Sequence, residues 1–189
     1  MPNEKNWLDP WGPKPFALVS HAHSDHIAAH EEIIVSERTA RLMQARLPGE
    51  RNEIVLEFGV PTMVRGNRIT LLPAGHIFGS AQFFLESDAG SLLYTGDFKL
   101  RPGRSAEKTE WQHAETLIME TTYGLPRYRM PPTELVVEQI VAFCREALEE
   151  GATPGWLGYS FGKAQEILGA LGGANLKPML HGPVVRRPR

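Results

Sequence analysis

Residues 21–26 read His21-Ala22-His23-Ser24-Asp25-His26, which places four strong metal ligands within six positions. Imidazole nitrogen and carboxylate oxygen are donors that first-row divalent cations take in proteins. The segment follows an apolar stretch, Phe16-Ala17-Leu18-Val19-Ser20, that predicts a strand, so the ligands emerge from a strand end into a loop. Side chains two apart on extended backbone point the same way, which lets His21 and His23 share one ion. A turn after them lets Asp25 and His26 face a second ion. With seven His and four Asp in 189 residues, a shuffled chain would show H-x-H-x-D-H with a probability of roughly 2 in 10,000. The pattern therefore reads as a metal site and not as a polar loop.

Two further positions extend the cluster. His76 lies in Pro73-Ala74-Gly75-His76-Ile77-Phe78-Gly79-Ser80, just after a predicted strand over 68–74, where flanking glycines let the backbone present the ring to a crowded centre. Asp97 follows another predicted strand, 91–95, in Tyr94-Thr95-Gly96-Asp97-Phe98. His21, His23 and His76 can then hold one ion with a position left for water. Asp25 and His26 can hold a second, with Asp97 bridging the two. A pair of ions about 3.5–4 Å apart lowers the pKa of a bound water to about 7 and stabilises charge on a phosphoryl or carbonyl oxygen. The imidazole and carboxylate mixture favours Zn²⁺, with Mn²⁺ or Fe²⁺ as alternatives.

These ligands must sit on strand tips. Besides the three strands already named, the pattern predicts strands over 33–35, 53–58, 82–87 and 116–119, with Asp88-Ala89-Gly90 as a hairpin turn. A helix is expected over 37–47, capped by Ser36 and stopped by Pro48-Gly49. Beyond Gly124 the pattern changes. Thr133 is expected to cap a long helix with Val136, Val137, Ile140, Val141, Cys144 and Leu148 on its apolar face. A short strand over 155–159, a helix over 161–171 and a strand near 179–180 should follow, so a second module is entered near 126–132.

Composition narrows the class. At 42% hydrophobic and 22% charged, the chain reads as a soluble globular protein. No apolar run is long enough to cross a bilayer, and no apolar core follows the N-terminal residues as in a secretory leader. The single cysteine, Cys144, allows no intrachain disulfide, fits a reducing cytoplasm and reads as a core residue. His30 and His113 belong to no constellation and read as surface residues. Trp7, Trp11, Trp111 and Trp156 read as packed in the core or its rim. Gly158-Tyr159-Ser160-Phe161-Gly162-Lys163 is not a Walker A loop, since the glycines are too close and Ala164 replaces the Mg²⁺-binding hydroxyl. It does place Lys163 at a helix start, where a nucleic-acid phosphate could rest.

The motif H-x-H-x-D-H with a downstream His and Asp resembles the metallo-β-lactamase superfamily. Glu120-Thr121-Thr122-Tyr123-Gly124-Leu125-Pro126, Gly162-Lys163-Ala164-Gln165, His181-Gly182 and Leu8-Asp9-Pro10-Trp11 narrow the resemblance to the β-CASP nucleases. Within these the chain is similar to the bacterial DNA-ligase-associated exonucleases, often labelled mRNA 3′-end processing factors. The resemblance implies that Asp9 braces the metal-binding loop, and that Glu120 and His181 lie near the scissile phosphate with His181 protonating the leaving oxygen. It implies hydrolysis of DNA or RNA phosphodiesters by a metal-activated hydroxide, with Asp25, Glu120 and His181 in catalysis. It also implies a link to an ATP-dependent DNA ligase repair system. Family members continue past the position of His181 and carry a last metal-ligand histidine there, so the sequence reads as C-terminally truncated, with a second metal site short of one ligand.

The expected fold is α/β: an incomplete αββα metallo-β-lactamase sandwich over 1–125, followed by the first part of an inserted β-CASP α/β module over 126–189. The metal set is His21, His23, Asp25, His26, His76 and Asp97, holding two Zn²⁺ or possible Mn²⁺. Lys163 is the substrate-binding candidate. Two rivals share the six-residue motif: a hydrolase of thioesters or lactams, and a non-catalytic remnant that binds metal or nucleic acid.

Overall fold

A computed structural model describes residues 6–182. They fall into two compact units that divide between Glu120 and Thr121.

The first unit holds two sheets. Strands β1 (Trp7–Leu8), β2 (Phe16–Leu18), β3 (Glu32–Ser36) and β4 (Asn52–Leu56) form one sheet in that order, every pair parallel. Strands β5 (Thr62–Val64), β6 (Asn67–Pro73), β7 (Ala81–Ser87), β8 (Gly90–Tyr94) and β9 (Thr116–Ile118) form the second, antiparallel except for the β8–β9 pair. Phe16, Leu18 and Ile34 of the first sheet share a core with Ile69, Leu71 and Phe83 of the second. Burial of such side chains, worth about 1.5–3 kcal/mol each, holds the sheets face to face.

Ile33 and Val35 alternate with Ile34 and are equally buried, as a parallel strand covered on both faces requires. Helix α1 (Glu37–Arg46) packs against β3 and β4 and buries Thr39, Ala40 and Met43. Ser36 is its N-cap, accepting a hydrogen bond from the Thr39 backbone N–H, as its sequence position predicts.

All seven predicted strands of this unit form, within two residues at each end, and so does the 88–90 hairpin, where Gly90 adopts φ +117°. Two strands escape the sequence pattern. β1 has only two residues, and β5 joins β6 through Arg65-Gly66, both at positive φ (+50° and +78°). That backbone suits a tight hairpin turn, yet Arg65 is an unusual residue for it and masks the signal.

In the second unit, α2 (Thr133–Glu149) packs against α3 (Lys163–Gly173). Cys144 is buried, as expected for a core residue, and its sulfur accepts a hydrogen bond from Trp156 Nε1 at 3.2 Å. The expected cap is displaced by one residue: Pro132 occupies the N-cap position, no side chain caps the helix, and Thr133 is its first helical residue. Neither 155–159 nor 179–180 forms a strand. A strand needs a ladder of hydrogen bonds to a neighbouring strand, and among the described residues neither segment joins either sheet. Leu157 and Met179 instead stand 99% and 94% exposed.

Candidate metal centre

The loop after β2 is held before it turns. Val19 continues the ladder by donating to Ile34 O, Ala81 N–H donates to Ser20 O, and Arg46 Nη1 donates to Ala22 O. His26 N–H then donates to His23 O, closing the turn that brings Asp25 and His26 back beside His21.

His76 comes from a second braced loop. Ser80 Oγ accepts from the backbone N–H groups of His76 and Ile77, and Gly79 O accepts from both Ser36 Oγ and Thr39 Oγ1 of the α1 start. Gly75 has φ +73°, and any Cβ there would run into Thr109 Oγ1. Asp97 comes from a third loop, tied to the second where Lys99 N–H donates to Ala74 O. Before it, Gly96 (φ +53°) lies so close to Ser20 that a Cβ would come within 2.6 Å of its side chain. Glycine is thus required both by conformation and by the close approach of two ligand-bearing loops.

One close donor set results, with a looser one beside it. His21 Nε2 lies 3.0 Å from His23 Nδ1, which lies 3.2 Å from His76 Nε2. Asp97 Oδ2 completes the set at 3.8 Å from His21 Nε2 and 3.6 Å from His76 Nε2. A tetrahedral ion with bonds of about 2.0–2.1 Å needs donors about 3.3 Å apart, so the set fits a zinc-sized ion. The other oxygen, Asp97 Oδ1, lies 3.6 Å from His26 Nε2, which is 3.7 Å from Asp25 Oδ2. Asp97 therefore faces both groups, one oxygen to each.

Asp9, at φ +41° and 7% exposed, stands behind these ligands. Its Oδ2 accepts from Ser20 Oγ, His26 Nδ1 and Tyr94 Oη, and its Oδ1 accepts from Ser20 N–H. Because a carboxylate only accepts, His26 carries a proton on Nδ1, which leaves Nε2 as the ring atom on the Asp97 side. Ser20 Oγ, having donated to Asp9, accepts from His21 Nδ1 at 2.9 Å, which leaves His21 Nε2 unprotonated on the side facing His23.

Electrostatics follow the geometry. Burial, reinforced by the neighbouring histidines, takes His21 well below the usual histidine pKa and lowers His76 to about 4. Both remain neutral, the form that ligates. Burial also works to lower His26, but the hydrogen bond and charge of Asp9 outweigh it and carry His26 upward. Burial raises Asp97, with Glu120 and Asp25 adding to it against the opposing pull of His26. A cation between such donors reverses that logic.

Of the sequence-predicted residues, His21, His23, His76 and Asp97 converge as one donor set, and His26 adjoins it with Asp9 behind. Asp25 is exposed and joins through His26 at 3.7 Å, and the charge of Glu120 reaches His76 and Asp97. Lys163 and His181 belong to the second unit, both exposed. His30 is a correction: it is buried at 2% exposure, with Nδ1 accepting from Lys14 N–H, because the chain folds back over it. Trp11 and Trp111 correct the packing expectation, being 90% and 68% exposed on irregular segments with no apolar face to cover them. Ser20 and Tyr94 were not singled out by sequence. Ser20 adjoins His21, which is a usable signal, whereas Tyr94 meets Asp9 across 85 positions and leaves none.

No family model matches the chain. It is 53% identical over 177 residues to a protein of Opitutus terrae named probable DNA ligase, a match covering 93% of this chain and 17% of that protein. It is 29% identical to an RNase J-like protein of Methanocaldococcus jannaschii (80% of this chain, 42% of that one). It is 30% identical to the 5′ exonuclease Apollo of Rattus norvegicus (77% and 29%). The chain belongs to the metallo-β-lactamase superfamily, on its β-CASP nuclease branch. A solved structure of a protein of unknown function from Enterococcus faecalis shares the fold, with a TM-score of 0.51 at 17% identity over 69% of this chain and 39% of that one. The chain spans less than half the length of each of these metallo-β-lactamase relatives. Nucleases of this superfamily use metal ions, and the donor groups described here could bind them.

Proposed function

We propose that this chain carries the metal centre of a nuclease that hydrolyses phosphodiester bonds of DNA or RNA. The observation that carries the reading is the division of Asp97, whose Oδ2 faces His21 and His76 while Oδ1 faces His26. His21, His23, His76 and Asp97 would hold one ion, and Asp25, His26 and Asp97 the other. The imidazole-rich first set suits Zn²⁺, and Mn²⁺ is the competitor at the more carboxylate-rich second. Bound there, such cations lower the pKa of a water to about 7 and offset charge on phosphoryl oxygens.

The remaining roles belong to side chains. Asp9 keeps the ligand imidazoles in the tautomer that faces inward. Glu120 borders the phosphate, and His181 supplies the proton to the leaving oxygen. Lys163 at the start of α3 takes a backbone phosphate. The module boundary lies near 125–126, the setting is cytoplasmic, and the working partner is an ATP-dependent DNA ligase, in keeping with the name of the Opitutus terrae relative.

The test pairs zinc analysis with cleavage of end-labelled single-stranded DNA and RNA by wild type, Asp25→Ala and His76→Ala. Each substitution should lower cleavage by more than about a hundredfold, beyond the 10–100-fold typical of losing an outer partner. Undiminished cleavage in both variants would remove this centre from the reaction.

A further inference from the structure

We infer that Tyr94 is a positioning residue that reaches from the second sheet to lock Asp9, so that one carboxylate sets the orientation of ligands in both metal positions. The inference rests on the two-ion reading above and adds to it the device that couples the two positions.

Asp9 follows β1 and Ser20 follows β2, so both belong to the first sheet, while Tyr94 ends β8 in the second. The Tyr94 hydroxyl donates to Asp9 Oδ2 at 2.8 Å, the same oxygen that accepts from His26 Nδ1 at 3.0 Å. Tyr94 is thus the donor that ties this buried carboxylate to the opposite sheet. From Asp9 two arms run to the metal ligands. One goes directly to His26, and the other passes through Ser20 Oγ to His21 Nδ1. The arms differ in dependence on Tyr94. Ser20 grips Asp9 twice, through its backbone N–H on Oδ1 and its hydroxyl on Oδ2, so the arm to His21 survives without the phenol. The arm to His26 shares its oxygen with Tyr94 and depends on that oxygen staying in place.

The ring of Tyr94 packs against the core shared by the two sheets. Tyr94→Phe therefore keeps the packing and deletes only the hydroxyl. Outer partners of metal-ligating histidines typically contribute 10–100-fold in affinity. Calorimetric titration of the metal-free chain with Zn²⁺ should give two ions for wild type. In Tyr94→Phe the second ion should bind 10–100-fold more weakly, with the first changed by less than about threefold. Recorded at a pH where His26 is neutral, long-range ¹⁵N–¹H spectra of the metal-free chain should show the Nδ1–H tautomer in wild type and a mixture in the variant. Two ions bound equally well by wild type and variant would overturn the role of Tyr94 and leave the two-ion reading standing. Equal weakening of both ions together with a lowered melting temperature would also overturn it, marking Tyr94 as merely structural. A wild-type chain binding one ion or none would overturn the two-ion reading itself, and this inference with it.

Discussion

His30 illustrates how a buried histidine sets a pH dependence without any part in metal binding. Its Nδ1 accepts from the Lys14 N–H, and burial pushes its pKa below the usual value of 6.5. In the unfolded chain the ring takes a proton near 6.5, whereas the folded chain resists it until lower pH. The unfolded state then binds more protons in that window, so stability falls as pH drops below 6.5 toward the folded pKa. His30→Gln keeps an acceptor for Lys14 N–H but does not titrate. Urea unfolding at pH 7.5 and 5.5 should show a smaller acid loss in the variant than in wild type. Equal losses would mean that other groups govern the slope.

At the scale of elements, α1 is the buttress of the His76 loop. Ser36 caps the helix by accepting from Thr39 N–H and at the same time donates to Gly79 O at 2.7 Å. One buried hydroxyl thereby joins a helix start to the loop that presents a ligand. Ser36→Ala should cost about 0.5–2 kcal/mol as a lost cap. It should also weaken Zn²⁺ binding, because Gly79 O retains Thr39 Oγ1 but loses one of its two hydroxyl donors. Denaturant unfolding and zinc titration check the two effects separately, and unchanged zinc affinity would confine Ser36 to the helix. The elements of the first unit were well signalled, since alternation and turn residues act over a few positions. Those of the second unit were signalled only as helices. The apolar runs at 155–159 and 179–180 resemble strands, but ladder pairing decides whether such runs become strands, and among the described residues neither joins a sheet.

Across the first unit, three loops from two sheets bring like-charged acids and edge-to-face imidazoles together, an arrangement that a cation relieves. A ligand bound only by the folded state stabilises by about 2.7 kcal/mol when its free concentration is a hundred times its Kd. Chelation with EDTA should therefore lower the melting temperature, and added Zn²⁺ should restore it. A melting curve indifferent to both would argue that the centre is empty in use.

What the sequence alone determined is the chemistry: six candidate ligands, four histidines and two aspartates at 21–26, 76 and 97, each beside a strand end or glycine that betrays its place. Those signals are legible because they are local. Only the tertiary structure decided that Asp97 turns one oxygen to each donor group, that His30 is buried, and that Ser20 and Tyr94 meet on Asp9. These outcomes depend on which strand ends fold beside one another, and side chains 85 positions apart carry no mark of meeting until the two sheets close.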